Sequence, residues 1–241
     1  MRYLVIGAAG HGQEVAWSLR EELRACGVDD DREIAFLDDA VPTGELPCGL
    51  GPVIGGVELA LRESARANTR LVMGVGLPRT KAAIVRRLNV PDHVWVPVVH
   101  PSALVGPNVT MGVGSYVGPG AVLTVNVRLG RFVTVNTHCL VAHGGALGDF
   151  ATLHPDAHLS GEVALAHGCE VGAGAIVLPG MAIGDWAIVG AGAVAVKPLR
   201  GGRTYIGVPA RERGARPHRA EPEPVRFPKT NTANSLARFL R

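Results

Sequence analysis

Aromatic residues are scarce: Phe, Tyr and Trp together make up 5% of the 241 residues. A core with so few rings must be narrow and aliphatic. No apolar run approaches the roughly 20 residues of a membrane span, so the sequence offers no transmembrane helix. The opening Met1-Arg2-Tyr3-Leu4-Val5-Ile6-Gly7 is too short for a signal peptide and runs into a glycine turn, which points to a cytoplasmic protein. Cysteine is limited to four residues, and Cys26 and Cys48 show no metal spacing. Acidic residues thin out toward the end. Residues 1–196 carry 13 basic and 18 acidic side chains, whereas residues 197–241 carry 11 and 3. From about Arg211 the chain is rich in Arg and Pro and has no apolar pattern, so 213–241 reads as a partly disordered basic extension. A phosphate-attracting patch is the alternative. No aromatic residue or motif interleaves with the charge, so nucleic-acid binding is not expected.

What the chain has in abundance is period. Sixteen hexapeptides run in unbroken register from Val99 to Val194. Each begins with an aliphatic residue, as at Val105, Met111, Val117, Leu123, Leu153 and Ile183. Four residues later comes a small or β-branched side chain, as at Ala103, Val109, Ser115, Ala121 and Cys139. An α-helix cannot keep one face on this period, because six residues turn it by roughly 600°. A solenoid of short parallel strands can, with the aliphatics and the small residues both pointing inward. Cys139 and Cys169 take the small position. Their separation of 30 residues is no multiple of an 18-residue coil, so they fall on different faces and read as buried thiols.

Residues 1–95 read differently. Tyr3–Ile6, Ile34–Leu37 and Leu71–Val75 are short apolar strands, with helical patterns at residues 13–26, 57–67 and 79–88. Alternating β and α elements imply a small parallel sheet of Rossmann type, which binds ligands at the carboxyl ends of its strands. That edge offers Gly7–Gly12, Asp38, Asp39 and Gly74–Gly76. The glycine spacing G-x-x-G-x-G departs from the dinucleotide fingerprint, and the sheet is small. A mononucleotide fits better: helix N-terminal amides near Gly10 and His11 for phosphate, and Asp38 or Asp39 for ribose or base. Alternatively, Gly10 and Gly12 only allow close packing and His11 caps the helix.

The combination of Val5-Ile6-Gly7-Ala8-Ala9-Gly10-His11-Gly12, a hexapeptide β-helix, and Ile206-Gly207-Val208-Pro209-Ala210 resembles the sialic acid O-acetyltransferase and nucleotide-amino-sugar N-acetyltransferase family. The resemblance covers roughly residues 2–212. It implies an α/β plus all-β fold: a Rossmann-like sugar-nucleotide domain over 1–95 and a left-handed parallel β-helix over 96–212. It also implies a homotrimer that moves an acetyl group from acetyl-CoA to the amine or hydroxyl of a nucleotide-linked sugar, without a metal. The segment from Asn136 to Gly148 matches the family's central motif. That match puts the catalytic histidine at His143 and acceptor contacts at Asn136 and His138. The acidic residue that commonly follows the histidine is here Gly144. A second family histidine, near the CoA pantetheine, falls on Thr152. CoA is implied along the groove between β-helices, at Thr152, Ala173, Ala191, Pro209 and Arg211.

The residues themselves support this chemistry. Acyl transfer from a thioester needs a base, an oxyanion donor and fixed geometry. His143 lies near a turn, where its side chain can point outward. One coil is eighteen residues, so Gly161 stacks on His143 and offers its amide to a thioester carbonyl without obstruction. By the same rule His138 stacks on Asp156, Asn136 on His154, and Asp149, His167 and Asp185 form a structural ladder. Two other classes stay open at this level. One is an inactive scaffold, because of Gly144. The other is a zinc hydratase resembling the gamma carbonic anhydrases, which use histidines spaced like His138 and His143, although Ser102 stands where a further ligand is expected.

Overall fold

The computed structural model describes residues 1–27 and 33–213. The basic extension expected from 213 onward lies, apart from Arg213, outside the described residues.

The first unit is built on strands β1 (Arg2–Ile6), β2 (Glu33–Leu37), β3 (Gly44–Glu45), β4 (Pro52–Gly55) and β5 (Thr69–Met73). Their order is β3-β4-β2-β1-β5, parallel except for the β3–β4 edge hairpin. Helices α1 (Gly10–Ala25), α2 (Leu59–Glu63) and α3 (Pro78–Leu88) complete it. The central strands are buried on both faces, which is why β1 and β5 read as continuous apolar runs. Val5, Val72 and Phe36 pack toward Val15 and Leu19 of α1. Leu4, Ile6 and Leu71 pack on the other side with Leu88 of α3. The sequence shows no apolar alternation for β3 and β4, because both are short and carry Gly or Pro.

From Val98 the chain winds into a left-handed parallel β-helix of hexapeptide repeats. Each 18-residue coil contributes a two-residue strand to each of three faces. The first face runs through Val98–Val99, Tyr116–Val117, Thr134–Val135, Thr152–Leu153, Glu170–Val171 and Ile188–Val189. The second runs from Leu104–Val105 through Leu140–Val141 and His158–Leu159 to Val194–Ala195. The third runs from Thr110–Met111 through Ala146–Leu147 to Ala182–Ile183. Val135 pairs with Leu153 and Leu153 with Val171, so like hexad positions stack. These aliphatics fill the interior with the small residues Ala121, Cys139, Ala157 and Ala175, all buried. Each corner uses a residue of positive φ three places after the aliphatic stop: His138 (56°), Gly144 (70°), Phe150 (63°) and Glu162 (59°). Its N–H bonds to a carbonyl one coil back, as Gly144 does to Val125 at 3.0 Å. The solenoid ends in an antiparallel hairpin of Thr204–Ile206 with Arg211–Glu212, which covers an otherwise open edge.

The first unit docks on the first face and on the corner between the third and first faces. The Ser18 hydroxyl lies 3.0 Å from that of Tyr116. Trp95 packs edge-on against Phe132, which stacks on Phe150. At the centre sits Lys81 of α3, fully buried. Its ammonium donates to Phe132 O at 2.8 Å, Thr134 Oγ1 at 3.0 Å, Thr152 Oγ1 at 2.9 Å and, more weakly, Ala151 O at 3.4 Å. Burial pushes that ammonium down to about 7, and Glu170 acts against the shift. Among the described residues no helix is long and apolar enough to cross a membrane.

Candidate active site

His143 stands exposed on the corner between the second and third faces, between Leu140–Val141 and Ala146–Leu147. Its ring reaches forward onto the next coil. A Cβ on Gly161 would lie 2.5 Å from both Cε1 and Nε2 of the ring, so only glycine leaves room for it. The eighteen-residue stacking read from the sequence therefore holds at this pair. Among the described residues the Gly161 N–H has no hydrogen-bond partner, and the residue is buried beneath the ring.

The remaining candidates fall at other places. His138 and Asp156 meet at 3.7 Å on the corner between the first and second faces, both exposed. Asn136 lies on the same corner, its side-chain oxygen accepting from Thr137 N at 2.7 Å. Ala173 and Ala191 continue that corner two and three coils beyond Asn136 and His138, exposed. His138 and His143 thus sit on different corners and do not converge within one chain. Pro209 and Arg211 are exposed in the terminal hairpin.

Thr152 is the main departure. It does not line an open groove: it is buried on the first face, donating to Gly76 O at 2.7 Å and accepting from Lys81. The docked first unit covers this face, and the hexad period carries no trace of that docking. Lys81 was the residue that sequence reasoning missed. Its signal is a lone cation in line with Ile84, Val85 and Leu88 at helical spacing.

At the carboxyl edge of the first sheet, Gly12 and Gly10 separate in role. A Cβ on Gly12 would lie 2.0 Å from Gly7 O, so Gly12 allows α1 to pack on the turn. Gly10 has open space around it at the α1 N-terminus. His11 does not cap α1: no side-chain cap bond exists. Its ring turns toward the β-helix, edge-on to Tyr116 at 5.6 Å, with Nδ1 3.4 Å from Glu14. Burial lowers its pKa against the opposing pull of Glu14, which favours the neutral ring, and Nε2 is buried without a partner. Asp38 accepts from the N–H groups of Ala8 (2.7 Å), Ala40 (2.7 Å) and Val41 (2.9 Å). Burial pushes its carboxyl up, but these three donors outweigh burial and hold it below the usual range. Asp39 is likewise lowered, first by Arg87 at 2.8 Å and then by Val57 N–H. Both aspartates therefore brace the loops around the turn.

The ladder of Asp149, His167 and Asp185 is structural. Asp149 accepts from Arg131 N, His167 from Asp149 N, and Asp185 from His167 N. Cys139 and Cys169 are buried, with thiols pushed up to about 12 and about 11 by burial.

Residues 2–88 match the PglD N-terminal domain family. A perosamine N-acetyltransferase from Caulobacter crescentus, solved with CoA and GDP-perosamine, is 34% identical, with 89% of this chain and 98% of that chain covered and a TM-score of 0.78. The chain belongs to the hexapeptide-repeat sugar N-acetyltransferases. This acetyltransferase is also 32% identical to the acetyltransferase domain of PglB from Neisseria gonorrhoeae FA1090, solved with acetyl coenzyme A, over 88% of this chain and 98% of that one, TM-score 0.73. GDP-perosamine N-acetyltransferase of Escherichia coli O157:H7 is 25% identical over 221 residues, 87% of this chain and 95% of that protein. The fold and the acetyltransferase class implied by the sequence are those of these relatives, and acyl-CoA-dependent acetylation of a sugar is the family's chemistry.

Proposed function

We propose that this acetyltransferase transfers acetyl from acetyl-CoA to the amine of a nucleoside-diphosphate-linked amino sugar, with His143 as general base at a homotrimer interface. The observation that carries the reading is the His143 ring lying over Gly161 in a chain 34% identical to an enzyme solved with CoA and GDP-perosamine. In two of the Caulobacter complexes a single histidine is replaced, by asparagine or by alanine, which supports a histidine at the centre of that enzyme's reaction.

In the proposed reaction the sugar amine attacks the thioester carbonyl carbon. The C–N bond forms as His143 takes the nitrogen's proton. The Gly161 N–H donates to the oxyanion. Collapse breaks the C–S bond, and the proton passes to the departing thiolate. The diphosphate lies against the open Gly10 and the α1 N-terminus, which Asp38 and Asp39 hold in shape.

Where these parts stand supports a trimer. The first unit covers the first face as far as Glu170, whereas His143 is on the corner opposite it. The second face is uncovered and, apart from His158, apolar: Leu104 is 67% exposed and Ile176 36%. Val125, Leu178 and Val196 extend the patch along the His143 corner. Three copies closing around their second faces would set the His143 corner of one against the first–second corner of the next. Asn136, His138, Ala173 and Ala191 would then line the acceptor and CoA groove opposite His143, with Pro209 and Arg211 at its far end. The neighbour's nucleotide cradle would lie alongside. The proposed compartment is the cytoplasm.

The test is turnover of purified protein with acetyl-CoA and GDP-perosamine, beside a UDP-linked amino sugar. The expected result is thiol release matched by a product heavier by one acetyl group. Thiol release without an acetylated sugar, or none with either acceptor, contradicts the reading.

A further inference from the structure

The corner that carries His143 also carries one carboxylate. Gly144 occupies the left-handed corner position with φ 70°, and one coil later Glu162 fills the same position with φ 59°. The two coils are tied where these residues meet, the Glu162 N–H donating to His143 O at 2.8 Å. His143 leans forward over Gly161, its Nε2 and Cε1 edge nearest that residue: a Cβ there would lie 2.5 Å from those atoms and 3.2 Å from Nδ1. Glu162 leans the other way. A Cβ on Gly144 would lie 3.3 Å from Glu162 Cγ. The imidazole and the glutamate chain thus run past one another in opposite directions across the gap between the same two coils. The carboxyl carbon is one bond beyond that Cγ. Among the described residues the Glu162 carboxylate has no hydrogen-bond or ion-pair partner, and the other charged or titratable side chains on the adjoining faces nearby are His158 and Arg128.

We propose that Glu162 is the positioning residue for His143. Its carboxylate, unpartnered as the structure stands, turns about its own side-chain bonds to accept the Nδ1–H of the ring, which leaves the Nε2 lone pair free for the acceptor's proton. Nδ1 is the nitrogen nearer the ring's own backbone, and Glu162 lies back along that backbone over Gly144. A base whose ring is held by a second acceptor keeps one tautomer and one orientation. Gly144 is then part of the device, because any side chain there presses on Glu162 Cγ. The carboxylate comes from the following coil instead of the following residue. This inference rests on His143 being the base.

The experiment compares kcat and KM of the wild type, Glu162→Gln, His143→Ala and the double variant Glu162→Ala/Gly144→Glu. Glu162→Gln should lower kcat by about 10–100-fold, with KM for both substrates within about twofold. In the double variant the side chain that crowds position 144 is gone, and the new carboxylate beside the ring should recover most of the loss. The 15N resonances of the His143 ring should report the Nδ1–H tautomer in the wild type and lose that preference in Glu162→Gln. Wild-type kcat in Glu162→Gln together with a collapse in His143→Ala overturns the role of Glu162 and leaves the base in place. Wild-type kcat in His143→Ala overturns both.

Discussion

His143 and Gly161 are eighteen residues apart and in contact because a hexapeptide solenoid stacks like on like. The contact sets a sharp expectation for single substitutions. Gly161→Ala places a methyl where the ring lies, so the imidazole must move by about an ångström or more, which should lower kcat by about 10²-fold with an unchanged melting temperature. Steady-state kinetics beside thermal unfolding checks this, and equal kcat would mean that the ring is not the reacting group. Asp38 makes a different prediction. Its folded pKa is lowered, so its ionised form stabilises the fold above the ordinary aspartate value, and that contribution is lost as pH falls through the lowered value. Asp38→Asn should therefore destabilise the protein at pH 7 and cost progressively less toward about pH 3. Denaturant titrations at the two pH values measure it. The stacked pairs were legible in the sequence because they follow the period. The bracing role of Asp38 and Asp39 was not, because it depends on loops that meet only after the sheet has formed.

Among the elements, the β-helix is held by its interior stack and the first unit by its dock. Leu153 is fully buried between Val135 and Val171, so Leu153→Ala should cost about 2–5 kcal/mol. Chemical denaturation measures the loss. Lys81 ties α3 to two adjacent coils through two carbonyls and two threonine hydroxyls. Lys81→Met keeps the apolar stem but leaves Phe132 O and Thr134 Oγ1 buried without a partner, at about 1–3 kcal/mol for each, while Ala151 O keeps the Thr134 N–H and the Thr152 hydroxyl keeps Gly76 O. The expected signature is faster amide exchange in α3 and around Phe132–Thr134, with the later coils unchanged. Uniform exchange throughout would show that the dock does not depend on this lysine. The coils and their register were readable because their period is strict. The face chosen for docking was hidden, and Thr152 was accordingly misplaced, because Thr134, Thr152 and Glu170 alternate outward like any solvated positions until α3 covers them.

At the scale of the whole molecule, the proposed base and the proposed nucleotide cradle stand apart within one chain. The proposed nucleotide cradle sits against the first face, and the His143 corner lies opposite. In the proposed trimer the exposed second face would connect them through a neighbour. The protein should sediment as a trimer at micromolar concentration. A charged substitution on that face, such as Ile176→Glu, should yield monomers without activity. The most direct measurement mixes two inactive variants by co-expression: His143→Ala, which lacks the base, and Gly10→Asp, which keeps the open α1 N-terminus folded but repels a diphosphate. If each site takes its base from one subunit and its cradle from the next, about a quarter of the sites in randomly mixed trimers carry both intact halves, and activity should return to about that fraction of wild type. If base and cradle belong to the same chain, the mixed trimers contain no intact site, and their activity would stay at the level of the two parents.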